Sequence, residues 1–211
     1  MIISFTTLKG GTGKSTLSSN IAVCLAHIEY KVCIIDTDTN GSCIRWSGFR
    51  PDDLPEVTVI SLPDAKALRN NINRIHKDYE VIIIDGTPHL SELTSTIILV
   101  SDLVISPVKP SALDLWATEK FLSKYEDARL LKDNIKACFV INQYKANTLL
   151  SKEVEEALKE FDIPILTTKI SDRVAYSEAV MQGIGVLEYK DQKAKNEVIN
   201  LTNEIIEIIK T

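Results

Sequence analysis

The string TLKGGTGKST at residues 7–16 constrains this chain more than any other stretch. It follows an apolar, β-branched run (IISFT, 2–6) and leads into LSSNIAVCLA, which is compatible with a helix. Gly10, Gly11 and Gly13 let the backbone turn tightly with successive N–H groups pointing inward, which makes an anion cradle. Thr12 and Thr16 belong to the same loop. Lys14 supplies a point charge for the β- and γ-phosphates of a nucleotide, and the Ser15 hydroxyl stands where it can ligate Mg²⁺. The helix beginning there adds the positive end of its dipole. Strand, phosphate loop and helix in succession predict a nucleotide-binding α/β domain.

The rest of the sequence repeats that alternation. Strands are expected at 2–6, 31–35, 57–61, 80–84, 102–108 and 135–141, with a short one near 164–168. Helices are expected at 14–29, 63–77, 90–99, 112–130, 149–160, 173–182 and about 192–210. Strands that read as continuous apolar runs, such as VIII at 81–84, are buried on both faces. The fold class is therefore α/β: a doubly wound, mostly parallel sheet with helices on both faces. Residues 48–56 (GFRPDDLPE) read as a surface loop, and residues 1–211 as one domain. No run approaches the roughly 18 apolar residues of a membrane span, and MIISF running into a polar loop is not a secretion signal. A cytoplasmic protein is expected. The four cysteines form no CxxC pair, and Cys33 and Cys138 lie in apolar runs as small buried hydrophobes. The net charge, 24 minus 29, is −5, so nucleic acid binding would need a local patch.

Ligands bind at the carboxyl ends of strands in such sheets. Strand 31–35 ends in DTDTN (36–40) and strand 80–84 in DGTP (85–88), so Asp36, Asp38 and Asp85 flank the phosphate loop. Carboxylates after buried strands are costly unless they meet a cation or hydrogen-bond donors, and three of them suit Mg²⁺ and water. Each alone could also be a turn or cap aspartate. His89 reads as a neutral loop residue.

The loop departs from the ordinary phosphate-loop pattern, with Leu8 where a first glycine is usual and an extra Lys9 at its start. KGGTGKST is the deviant Walker A motif, and through it the chain resembles the ParA/MinD group of ATPases. The resemblance runs from residue 1 to about 210 and includes VKPSALDLWA (108–117) and SDRVAYSEAVMQG…VLEY. It implies an ATP-sandwich homodimer in which Lys9 crosses to the partner's phosphates. The alternative for Lys9 is a solvated loop lysine. Lys9, Lys14 and Asp38 would be catalytic, with Asp38 orienting the attacking water. Ser15, Asp36 and Asp85 would serve Mg²⁺, and Asp85 is the Walker B residue. Thr39 and Asn40 stand where relatives have Pro and Gln, so switch I differs locally. Asn142 would read the adenine edge, or be a turn residue. Segment 110–114 resembles a Pro-Ser turn leading to an Asp-capped helix.

Within the group the chain is similar to the short plasmid-partition ATPases (ParF-like), which lack an amino-terminal DNA-reading domain. Operator-specific repression is not expected. The resemblance implies a weak Mg-dependent ATPase of a bacterium or archaeon, nucleoid-associated when ATP-bound. It would bind DNA non-specifically and answer to a small centromere-binding adaptor. Arg173, Lys193 and Lys195 fall where relatives carry DNA-contacting basic residues, or form an ordinary solvated face. The alternative is a MinD-like membrane or cargo positioning ATPase. Against the membrane stands the tail helix, with Glu197, Glu204 and Glu207 against Lys210. Its apolar stripe, Val198, Leu201, Ile205 and Ile208, is expected to dock on the domain's own sheet. An iron-protein-like reductase fails on cysteine placement, and a metabolic synthase on the same scaffold is a third reading.

Overall fold

A computed structural model of the chain describes residues 1–146 and 148–210. Seven strands form one parallel sheet: β1 Ile2–Phe5, β2 Val32–Asp36, β3 Thr58–Ser61, β4 Val81–Asp85, β5 Leu103–Val108, β6 Lys136–Tyr144 and β7 Ile170–Ser171. Their order is β3-β2-β4-β1-β5-β6-β7. The helices are α1 Lys14–His27, α2 Ser42–Ser47, α3 Ala65–Asp78, α4 Glu92–Val100, α5 Ala112–Arg129, α6 Leu149–Leu158, α7 Val174–Met181 and α8 Gln192–Lys210. A 3-10 turn spans Val186–Glu188.

Side chains alternate across the sheet, and both faces are covered. Along β4, Val81 and Ile83 join Ile3, Phe5, Leu17 and Leu201 in one core, while Ile82 and Ile84 join Leu68, Ile72 and Ile97 in another. A third core lies under α5 and α6, around Phe121, Phe139 and Ile141. This is the doubly wound arrangement expected from the continuous apolar strands. The tail stripe Val198, Leu201 and Ile205 is fully buried, on α1, β7 and the 3-10 turn.

Three local features differ from expectation. Helix α2 has no counterpart among the expected helices. It is only six residues long and starts from Gly41 in the left-handed region (φ 61°). The last strand lies at Ile170–Ser171, and near 164–168 only one isolated bridge forms, Phe139 to Ile165. Pro164 has no N–H to give, and the N–H groups of Thr167 and Thr168 go to the Glu204 carboxylate (2.6 and 3.0 Å). Helix α5 is capped by Ser111, whose Oγ accepts from the Asp114 N–H (3.2 Å); Asp114 is the third helical residue and not the cap.

Candidate functional site

The sheet order brings the carboxyl ends of β1, β2 and β4 together. Phe5 of β1 pairs in register with Asp85, and so does Asp36 of β2. The phosphate loop leaves β1 there and closes on itself: Lys14 Nζ donates to the Lys9 carbonyl (2.9 Å). Gly13 (φ 92°) caps α1 in the left-handed region that favours glycine, and a Cβ on it would lie 2.1 Å from Asn142 Nδ2 and push that side chain aside. Asn142 Nδ2 donates to the Thr12 carbonyl (2.7 Å), which ties the loop to β6. Lys14 is buried, and burial lowers its pKa against the opposing pull of Asp85 and Asp38.

The carboxylates divide the work. Asp85 is fully buried, and its pKa is pushed up to about 6 by burial, with a Ser15 hydrogen bond acting the other way. Asp36, also fully buried, accepts three backbone N–H groups, from Asp38 (3.1 Å), Cys43 (2.9 Å) and Ile44 (3.2 Å). It therefore fixes the loop that carries Asp38 and the start of α2. Asp38 Oδ1 in turn accepts from both the backbone N–H and the side-chain amide of Asn40, each at 3.0 Å. Asn40, one of the two residues that depart from the pattern of the resembled group, is thus the one that tethers Asp38.

Lys14 and Asp38 open on a cleft of about 470 Å³ whose walls also include Gly10, Gly11, Ser15 and Asn40, while Asp36 and Asp85 lie buried behind it. A smaller cleft of about 270 Å³ continues past Gly13 and Thr16 to Asn142, Gln143 and Arg173. A hydroxyl and carboxylates are hard oxygen donors that suit Mg²⁺, and Ser15 and Asp85 fit that ion. Asp36 is already bonded to the loop, and the third ligand-type atom beside Asp85 is the Cys43 thiol, 3.3 Å from Oδ2. Cys43 and Gln143 carry no signal in the sequence, because neither residue type marks a nucleotide site and both arrive there through α2 and the bulge between Asn142 and Tyr144.

Of the other named residues, Lys9 turns its side chain away from the cleft onto α5, where it bonds Asp114 and Ser111 Oγ. Arg173 is paired with Glu197 (2.7 Å) and faces the smaller cleft, so it is not a free surface cation. Lys193 and Lys195 lie on the first turn of α8, exposed and half-exposed, and neither enters an ion pair among the described residues. His89 is exposed in the loop after β4.

A parallel sheet with a glycine-rich loop leading from its central strand into a helix, and carboxylates at the ends of the adjacent strand β4 and of β2 beyond it, defines a phosphate-loop nucleotide-binding protein. The chain belongs to the CobQ/CobB/MinD/ParA nucleotide binding domain family, whose model matches residues 3–186. It is similar to maintenance of carboxysome distribution protein A of Halothiobacillus neapolitanus, 27% identical over 202 residues, covering 94% of this chain and 93% of that one. Its fold is similar to a putative plasmid partition protein of Borrelia burgdorferi solved with AMPPNP (TM-score 0.80, 21% identity, 98% of each chain covered). It is also similar to the septum site-determining protein MinD of Pyrococcus horikoshii solved with Mg-ADP (TM-score 0.78, 22% identity, 98% and 96% covered). Family ATPases of this kind serve partition or positioning. No helix among the described residues is long and apolar enough to cross a membrane.

Proposed function

We propose that the chain is an ATP-switched partition ATPase: it binds Mg·ATP, dimerises, holds DNA without sequence preference, and is reset by hydrolysis that a small adaptor stimulates. One observation carries the reading. The loop has two lysines, and they diverge: Lys14 turns into its own cradle while Lys9 turns out onto α5. A lysine that leaves its own cradle is available to a second subunit's phosphates, and phosphoryl transfer is governed by positioned charge. Ser15 and Asp85 would hold Mg²⁺, which supplies charge neutralisation at the phosphates. Asp36 would set the switch loop, and Asp38 would orient water. Asn142, through its remaining amide groups, and Gln143 would face the base.

The membrane version of positioning is disfavoured by α8, whose apolar stripe is spent on α1 and whose Glu197 and Glu204 are hydrogen-bonded to the domain. The test is ATP turnover by the protein alone, with duplex DNA of arbitrary sequence, and with the product of the adjacent reading frame. Low basal turnover raised by both additions is expected. Asp38→Ala should bind ATP as tightly as the wild type and hydrolyse it about 100-fold more slowly. Turnover raised only by anionic vesicles, or only by a small metabolite, would replace this reading with a membrane positioning or a synthase activity.

A further inference from the structure

Asp114 belongs to no site described so far, yet it is the residue that holds Lys9. It is 3% exposed, one oxygen carries both Lys9 Nζ and the Ser111 hydroxyl, and the other oxygen, Oδ1, is buried with no partner. Lys9 adds a second, longer bond to Ser111 Oγ (3.4 Å). A buried, half-satisfied carboxylate is costly, and the ammonium of Lys9 offsets much of that cost. The backbone of the same lysine is pinned from the other side, since its carbonyl accepts from Lys14. Lys9 is thus clamped at two points within its own subunit.

We propose that Asp114 is a positioning residue that latches Lys9 in cis and so sets the threshold for the ATP-dependent dimer; this rests on the reading that Lys9 acts on a second subunit. The two clamps release in order. A nucleotide phosphate draws Lys14 away from the Lys9 carbonyl and loosens the start of the loop. Lys9 then exchanges the Asp114 carboxylate for the partner's phosphates, leaving Asp114 to Ser111. The latch therefore opposes dimerisation until both subunits are loaded, because a two-fold interface must open two latches at once.

The consequence has a sign that a merely structural role cannot mimic. Asp114→Asn keeps the size and the hydrogen bond to Ser111 but loses the charge that holds Lys9. Weakening a partly exposed ion pair by about threefold per latch gives about tenfold on the dimer constant. Sedimentation in Mg·AMPPNP should show Asp114→Asn dimerising about tenfold more tightly than the wild type, with unchanged nucleotide affinity in the monomer. Ser111→Gly, which keeps a tolerated cap but removes the hydroxyl that Asp114 falls back on when Lys9 leaves, should shift the opposite way, toward a weaker dimer, and it carries the test if Asp114→Asn does not fold. In a Lys9→Ala background, Asp114→Asn should change nothing. A dimer of equal or lower affinity in Asp114→Asn, or tightening that persists without Lys9, overturns the latch while leaving the trans-lysine reading intact if Lys9→Ala alone remains monomeric. Wild-type dimerisation by Lys9→Ala overturns both.

Discussion

At the scale of single residues, the site trades stability for chemistry at Asp85. A carboxylate with no exposed surface at the end of a buried strand is disfavoured when charged, and burial is the leading reason its pKa rises to about 6. The raised value fixes the sign of the linkage. Asp85 supports the metal-free fold when protonated, in full below the ordinary carboxylate range, and that support is lost as pH rises through about 6. Asp85→Asn, neutral throughout, should therefore be more stable than the wild type at pH 7.5 by about 2 kcal/mol, or about 4–8 °C in melting temperature. The two should converge near pH 4. Thermal melts in EDTA from pH 4.5 to 7.5 check this, and a gain that does not vary with pH would assign it to packing instead.

At the scale of elements, α2 and the turn that follows it are anchored to residues 183–188, late in the chain. Trp46 Nε1 donates to the Ile184 carbonyl (3.2 Å), and Arg50 reaches the Gly183 carbonyl and makes a two-pronged ion pair with Glu188. Gly183 (φ 69°) lies against the Phe49 backbone, where a Cβ would come within 2.2 Å of the carbonyl carbon. Backbone cannot yield as a side chain can. Gly183→Ala should cost about 2–4 kcal/mol, read as a lower melting temperature, and a variant as stable as the wild type would show that this joint is loose. None of this joint was legible in the sequence. The strand-end aspartates and the loop lysines were, because each follows an apolar run whose burial fixes its location in an α/β sheet. Helix α2 was not, since six residues carry no period and its start depends on Asp36 capturing the N–H groups of Cys43 and Ile44. The partner of Lys9 was equally hidden, because the pairing with Asp114 spans 105 residues and follows from how β5 sits beside β1. Asn142 is marked by its place at the end of an apolar run, but its bond to the Thr12 carbonyl depends on loop shape alone.

At the scale of the whole molecule, a chain of net charge −5 can hold DNA only through a local basic surface, and a dimer doubles whatever one subunit presents. The three basic residues singled out in the sequence sit in different surroundings. Arg173 is held by Glu197, which also bonds Ser171 and the Tyr176 hydroxyl, and it faces the cleft beside Gly13 and Asn142. Its loss should disturb the nucleotide cleft and α8 together. Lys193 and Lys195 are different, since they project from the first turn of α8 and lie outside both clefts. Changing both to Ala should weaken Mg·AMPPNP-dependent retention on every duplex sequence alike and leave nucleotide affinity unchanged. Each lysine–phosphate pairing that the change removes should flatten the log–log salt dependence of binding by roughly 0.9. Arg173→Ala, by contrast, should lower nucleotide affinity first, and DNA retention only through that loss. Filter binding across a salt series with the double variant, beside nucleotide titration of Arg173→Ala, separates the two effects. If the Lys193 and Lys195 double variant keeps the wild-type salt slope, these two lysines are no part of the proposed DNA contact.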